Sequence, residues 1–301
     1  MLLPGRYRTC PRRGDRTISI DVRSLLKQYG IQPSKGLGQN FLVDRRVLER
    51  IVEVSDLSPA DVVLEVGPGL GVLTRELAER AGVVVAVELD RKMVAVLHEQ
   101  LAGYANVHLV QGDILEIDPV QAIMDALGLS SNEALRYKVV ANLPYYITSA
   151  VLRHLLTAAV PPAQLTLLVQ KEVAARLTAR PGDLSLLAIS VQVFGEPEVV
   201  TRVPAGSFYP RPKVDSAVVR IRVYPEPRVP REELERFFAV VQAGFGQKRK
   251  QLHNSLSHNL RLPQETVLEL LARAGIDPQR RPQTLTIDEW ISLARAYGEM
   301  A

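Results

Sequence analysis

Short apolar runs alternate with amphipathic stretches over the first two thirds of the chain. The runs at 62–66, 83–87, 107–110, 138–141 and 164–170 are too short for helices and rich in β-branched residues. They predict strands, most of them buried on both faces of a parallel sheet. Further strands are expected at 184–194 and 216–223. Between the strands the period lengthens. Leu73, Leu77 and Ala81 share one helical face, as do Met93, Val94 and Leu97, and helices are expected over 148–158 and 171–178. Before the first sheet strand, a short helix from Asp21 carries Leu25, Leu26 and Tyr29. Asp44 then caps a helix whose apolar face is Val47, Leu48, Ile51 and Val52. Residues 225–230 hold three prolines and read as a linker. Beyond them the pattern is helical: Leu234, Phe237, Phe238 and Val241, then 252–260, then Val267, Leu270 and Leu271. A last helix is opened by the capping box Thr286-x-x-Glu289. Strands alternating with helices imply an α/β domain over 21–224, with a small all-α domain over 231–301.

Composition agrees with two cores, since 301 residues at 47% hydrophobic content can bury both. No run approaches a membrane span and the N-terminus has no apolar secretory core, so a cytoplasmic, monomeric protein is expected. The single Cys10 excludes an internal disulfide framework. Net charge of +4 looks like a nucleic-acid signal until it is located. Residues 1–20 carry five arginines and one aspartate, read as a disordered basic tail; the remainder holds 32 basic and 32 acidic residues. Basic surface is therefore local. Arg202, Arg211, Lys213, Arg220 and Arg222 face only Asp215 across 202–222, and 244–262 contains Lys248, Arg249, Lys250 and Arg261 with no acid. Basic stripes on a neutral body fit an enzyme that grips phosphates along one face. Lys171 and Arg176 are further candidates for phosphate contact.

The chemistry begins where the first strand breaks into glycines. Gly67, Gly69 and Gly71 let the backbone turn sharply beside a ligand, and the next helix directs free N–H groups at the loop. The dinucleotide fingerprint needs a small residue where Val72 stands, and the phosphate-loop motif is absent. Glu65, two residues before the first glycine, attracts a cationic amino-acid cofactor and repels a pyrophosphate. E-x-G-x-G thus points to S-adenosyl-L-methionine, on a Rossmann-like methyltransferase domain with a mainly parallel sheet. Glu88, 21 residues after Gly67, lies where such folds place the acid that accepts ribose hydroxyls, and Asp113 ends the third strand in position to accept an adenine amino group. The fourth strand ends in Asn142-Leu143-Pro144-Tyr145. An exocyclic adenine amine is a poor nucleophile because its lone pair is delocalised into the ring. Two fixed acceptors on its hydrogens, assigned to the Asn142 side-chain oxygen and the Pro144 carbonyl, restore nucleophilic character. Tyr145 stacks on the flipped base and Phe208 is assigned to its other face; such stacking contributes roughly 1 to 3 kcal/mol per base. No metal-ligand spacing is present.

With these residues in view, the chain resembles the small-subunit (16S) ribosomal RNA adenine N6,N6-dimethyltransferases over about residues 30–297. The resemblance is carried by GQNFL at 38–42, LEVGPGLGVLT at 64–74, VELD at 87–90, GD at 112–113, NLPY at 142–145, QKEVAARL at 170–177, FYPRPKVDSAVV at 208–219 and FGQKRKQL at 245–252. It implies cofactor contacts at Asn40, Leu42, Gly67, Glu88, Asp113 and Asn142. The implied reaction dimethylates two adjacent adenosines near the 3′ end of 16S RNA within an immature small (30S) subunit, with the helical domain docking on RNA. Two stretches depart from the family pattern: 183–185 is short, and Gly36-Leu37 replaces a basic and an aromatic residue. The alternatives are a large-subunit adenine methyltransferase and an RNA-binding assembly factor in which methylation is secondary.

Overall fold

The computed structural model of the chain describes residues 21–34, 36–247 and 249–300. The basic tail over 1–20 and Lys248 lie outside the described residues. The described strands are β1 (Phe41–Leu42), β2 (Val62–Val66), β3 (Val83–Glu88), β4 (Val107–Gln111), β5 (Lys138–Asn142), β6 (Gln164–Gln170), β7 (Gly195–Val203), β8 (Phe208–Tyr209) and β9 (Ser216–Val223). The seven long strands form one sheet in the order β4-β3-β2-β5-β6-β9-β7. All neighbours are parallel except those of β9, which runs against both β6 and β7. The order reverses between β2 and β5, and the carboxyl ends of those two strands open a crevice where ligands bind in folds of this kind. β1 pairs with β8 in a separate antiparallel two-strand sheet, Leu42 opposite Phe208.

The continuous apolarity of the strands is explained by burial on both sides. Leu64, Val85 and Val139 face one core while their neighbours Val63, Val84 and Val140 face another. Helices cover both faces. They are α1 (Val22–Gln28), α2 (Arg45–Val54), α3 (Val72–Ala78), α4 (Arg91–Gln100), α5 (Pro119–Leu127), α6 (Thr148–Leu156), α7 (Lys171–Leu177) and α8 (Leu186–Gln192). The expected caps are in place: the carboxylates of Asp21, Asp44 and Asp90 accept N–H groups of α1, α2 and α4. α1 packs through Val22 and Leu26 into a third cluster with Phe41, Leu70, Met93 and Val96.

One expected strand is a helix. Residues 184–194 do not pair in the sheet; 186–192 form α8, with the Ser185 hydroxyl accepting the Ala188 N–H as its cap. The segment is apolar on nearly every side because it is buried on nearly every side, and in such a run periodicity does not separate helix from strand. The strand lies just beyond, at β7. Its Pro197 and alternating acids mask it in the sequence, and the sheet edge tolerates them.

The C-terminal helices are α9 (Leu234–Phe245), α10 (Leu252–Leu260), α11 (Gln264–Arg273) and α12 (Ile287–Met300). The capping box forms in both directions: the Thr286 N–H donates to Glu289 Oε2 at 2.7 Å, and the Glu289 N–H donates to Thr286 Oγ1 at 3.1 Å. Phe237, Val240, Leu256 and Trp290 belong to the same buried cluster as Leu64 and Val139 of the sheet. The 225–230 segment is packed, with Val229 buried and the Arg228 N–H donating to the Val193 carbonyl. The short 183–185 loop docks on these helices too, since Gly182 and Leu184 both donate N–H groups to the Gln283 carbonyl. No described helix is long and apolar enough to cross a membrane.

Candidate active site

The crevice at the strand reversal is a cavity of about 160 Å³. Asn40, Leu42, Glu65, Gly67, Gly69, Glu88, Asp113, Asn142, Pro144 and Tyr145 all line it. Ten residues spread over a hundred positions of sequence therefore converge. Gly69 has φ +59, and a Cβ there would lie 3.1 Å from the Phe41 ring, so both backbone and neighbour require glycine. Gly71 caps α3 in the left-handed conformation, leaving the first N–H groups of that helix without a side-chain cap.

The two carboxylates beside the loop differ in their bonding. Glu88 is held by two backbone donors, Gly69 N–H at 3.0 Å and Asp90 N–H at 2.9 Å. Burial still raises its pKa, the hydrogen bonds opposing that shift. Glu65 is fully buried and its Oε2 has no partner. Burial pushes it up to about 8, and the negative charge of Glu88 adds to the rise. An orphaned buried carboxylate lining a cavity fits a ligand that brings a cation. Asp113 uses Oδ1 to accept the Leu115 N–H at 2.9 Å, and its Oδ2 takes no hydrogen bond from the described residues. Unpartnered acid, glycine cradle and spare acceptor suit the amino-acid, ribose and base parts of S-adenosylmethionine.

The loop over 34–42 lies against this cleft and is fixed at several points. Gln39 donates from Nε2 to Asp90 Oδ2 at 3.0 Å and accepts the Ser34 N–H at 2.8 Å. The Val43 N–H donates to the Ser207 carbonyl, and the Ser207 hydroxyl donates to Asp44 Oδ2. Sequence reasoning missed Gln39; its place between two glycine-flanked turns gave no chemical signal.

At the mouth, the Asn142 side-chain amide donates to the Asn40 carbonyl at 3.1 Å, which orients its Oδ1. That oxygen takes no hydrogen bond from the described residues. Tyr145 is held by its hydroxyl against the Ser216 hydroxyl at 2.7 Å, and burial raises its pKa. Two sequence assignments change here. The Pro144 carbonyl is already engaged, accepting from the Ile147 N–H at 3.3 Å and the Thr148 hydroxyl at 3.4 Å as the backbone turns into α6. The neighbouring Leu143 carbonyl accepts nothing from the described residues. Phe208 does not line the cleft: it is 4% exposed and packs with Leu42, Val47 and Val203. Period-two alternation on β8 buries Phe208 and leaves Tyr209 to line an adjoining groove. At the mouth itself the additional aromatic is Tyr146, 60% exposed.

Of the expected phosphate contacts, Lys171, Arg211, Lys213, Arg249 and Lys250 are exposed and form no ion pair among the described residues. Arg211 and Lys213 line the groove beside Tyr145. Arg220 and Arg222 are not free, since both pair with Glu198 across β7 and β9.

Sheet order, glycine loop and strand-end acids together define a Rossmann-like methyltransferase. Comparison with known proteins narrows the class. A family model described as ribosomal RNA adenine dimethylase matches residues 32–298, and the chain belongs to that family. It is 47% identical to a ribosomal RNA small subunit methyltransferase A of Moorella thermoacetica over 274 residues, 90% of this chain and 95% of that protein. A protein of the same name from Dehalococcoides mccartyi is 44% identical over 287 residues, 95% and 96% of the two chains. Among solved structures, the 23S rRNA methyltransferase ErmE superposes with a TM-score of 0.65 at 33% identity, covering 85% of this chain and 99% of that one.

Proposed function

We propose that this enzyme dimethylates N6 of two adjacent adenosines near the 3′ end of 16S ribosomal RNA, acting in the cytoplasm as a monomer on an immature small subunit. The observation that carries the chemistry is the pair of free acceptors at the cleft mouth, Asn142 Oδ1 and the Leu143 carbonyl, beside the anchored ring of Tyr145. The near-full-length match to relatives named for the small subunit supports the choice of RNA.

S-adenosylmethionine, when bound, supplies an electrophilic methyl group. Glu65 answers its cationic amino group, Glu88 its ribose hydroxyls and Asp113 its adenine, with Asn40, Leu42, Gly67 and Gly69 shaping the cradle. On the other side of the reacting centre, Tyr145 stacks on the flipped base. Asn142 Oδ1 and the Leu143 carbonyl each accept one amine hydrogen, so the nitrogen lone pair leaves the ring and points at the methyl group. Both acceptors are fixed before the base arrives, so little reorganisation is needed. No strong base is required, because the methylated nitrogen is positive and sheds its proton readily. Positioning carries the rate.

Asn142→Ala is expected to leave cofactor affinity within a few-fold and to lower turnover by about a hundredfold or more, as loss of a preorganised acceptor does. Unchanged turnover removes Asn142 from the chemistry. The substrate is tested by methyl transfer from labelled S-adenosylmethionine to unmodified small subunits, large subunits and duplex DNA, followed by digestion to nucleosides. N6,N6-dimethyladenosine from small subunits alone is the expected result. Product from large subunits moves the chain toward the activity for which ErmE is named, and tight small-subunit binding without product favours an assembly factor.

A further inference from the structure

Beside the cleft lies a larger groove of about 950 Å³, walled by α1 on one side and by residues 209–214 on the other. It shares Gly38, Gln39, Asn40 and Tyr145 with the cofactor cleft, so the two cavities meet at the position of the target base. Four cations line it, Arg23, Lys27, Arg211 and Lys213, and no acid does. None of the four forms an ion pair among the described residues. Clustered cations without counter-charge repel one another, a cost that a polyanion in the groove removes. The floor is not only charged. The Arg23 guanidinium lies over the Tyr209 ring at 4.8 Å from its centroid, giving a flat aromatic and cationic shelf. Gln32, Gln39 and Gln170 add amide groups along the walls. The α1 wall is rigid, because Val22 and Leu26 are buried against Phe41, Leu70 and Met93.

We infer that this groove binds the single-stranded RNA adjoining the target adenosine: a neighbouring base stacks on the Arg23–Tyr209 shelf, and its phosphates run over Lys27, Arg211 and Lys213. Flat faces and phosphates at one-nucleotide spacing are the chemistry that an aromatic shelf ringed by cations recognises. The inference rests on the reading of the chain as an RNA methyltransferase and assigns Arg23, Lys27 and Tyr209, which sequence reasoning had not singled out.

The test is steady-state methyl transfer to unmodified small subunits over a series of salt concentrations, with wild type, Arg23→Ala/Lys27→Ala and Tyr209→Leu. The double variant is expected to raise KM for the subunit at least tenfold at moderate salt with kcat within a few-fold. Its log KM against log salt should be shallower by about 1.4, at about 0.7 for each lost single-strand phosphate contact. Tyr209→Leu is expected to raise KM with the salt slope unchanged, since it removes stacking and no charge. Cofactor affinity and melting temperature near wild type show that each variant is folded; Arg23→Gln, which keeps the side chain's length, replaces a variant that is not. If KM and slope both stay at wild-type values in the double variant, or KM rises without any change in slope, the groove does not hold RNA phosphates. If the wild-type protein itself transfers no methyl to subunit RNA, the parent reading fails and takes this one with it.

Discussion

Glu65 carries a pH dependence whose direction follows from its burial. Its pKa, ordinary in the unfolded chain and raised to about 8 in the fold, means that between roughly pH 4.5 and 8 the folded chain keeps a proton the unfolded chain has lost. Its contribution to stability is therefore complete below the ordinary carboxylate range and declines as pH rises toward 8. Glu65→Gln is expected to flatten that decline in cofactor-free protein, measured as melting temperature at pH 5 and pH 8. The same variant should bind S-adenosylmethionine at least about tenfold more weakly, as removal of one member of a buried charge pair costs several kcal/mol; unaltered affinity by calorimetry would place the amino group elsewhere. At this scale much was legible. Asp44, Asp90 and the Thr286–Glu289 pair cap their helices as their spacing implies, because a cap needs only local geometry. Phe208 and the Pro144 carbonyl were misread because their surroundings are set by distant partners: Phe208 by pairing with Leu42, the carbonyl by the turn into α6.

At the scale of elements, the loop over 34–42 depends on Gln39 to tie it to the cap of α4. Gln39→Ala is expected to raise KM for the cofactor several-fold while leaving the fold intact, since it cuts two hydrogen bonds worth about 1 kcal/mol each. An unchanged KM would make the loop's position independent of that tie. Strand–helix alternation was readable from period alone for β2, β6 and β9. It failed at α8, where uniform burial erases the polar face that would have marked a helix, and at β1 and β8, whose two residues apiece are too few to show any period.

The whole molecule is more unified than its sequence suggests. A proline-rich 225–230 segment and a change from mixed to helical pattern imply two independent halves, whereas one buried cluster runs from Leu64 in the sheet to Trp290 in α12. We therefore expect one cooperative transition in scanning calorimetry; two resolved transitions would show that the helices melt alone. The exposed Arg249 and Lys250 should serve the molecule differently from the core beneath them: Arg249→Ala/Lys250→Ala is expected to weaken small-subunit binding and lower its salt dependence while the calorimetric trace stays put. The clasp between the Ser207 hydroxyl and Asp44 joins positions 163 residues apart. During translation, the segment that lines the cofactor cleft emerges early, yet its anchoring strand is among the last parts of the sheet to be synthesised. Competence to bind cofactor thus marks a chain whose sheet is already built, and a ribosome-stalled fragment ending before β8 would have its glycine loop without the strand that fastens residues 41–44 beside it.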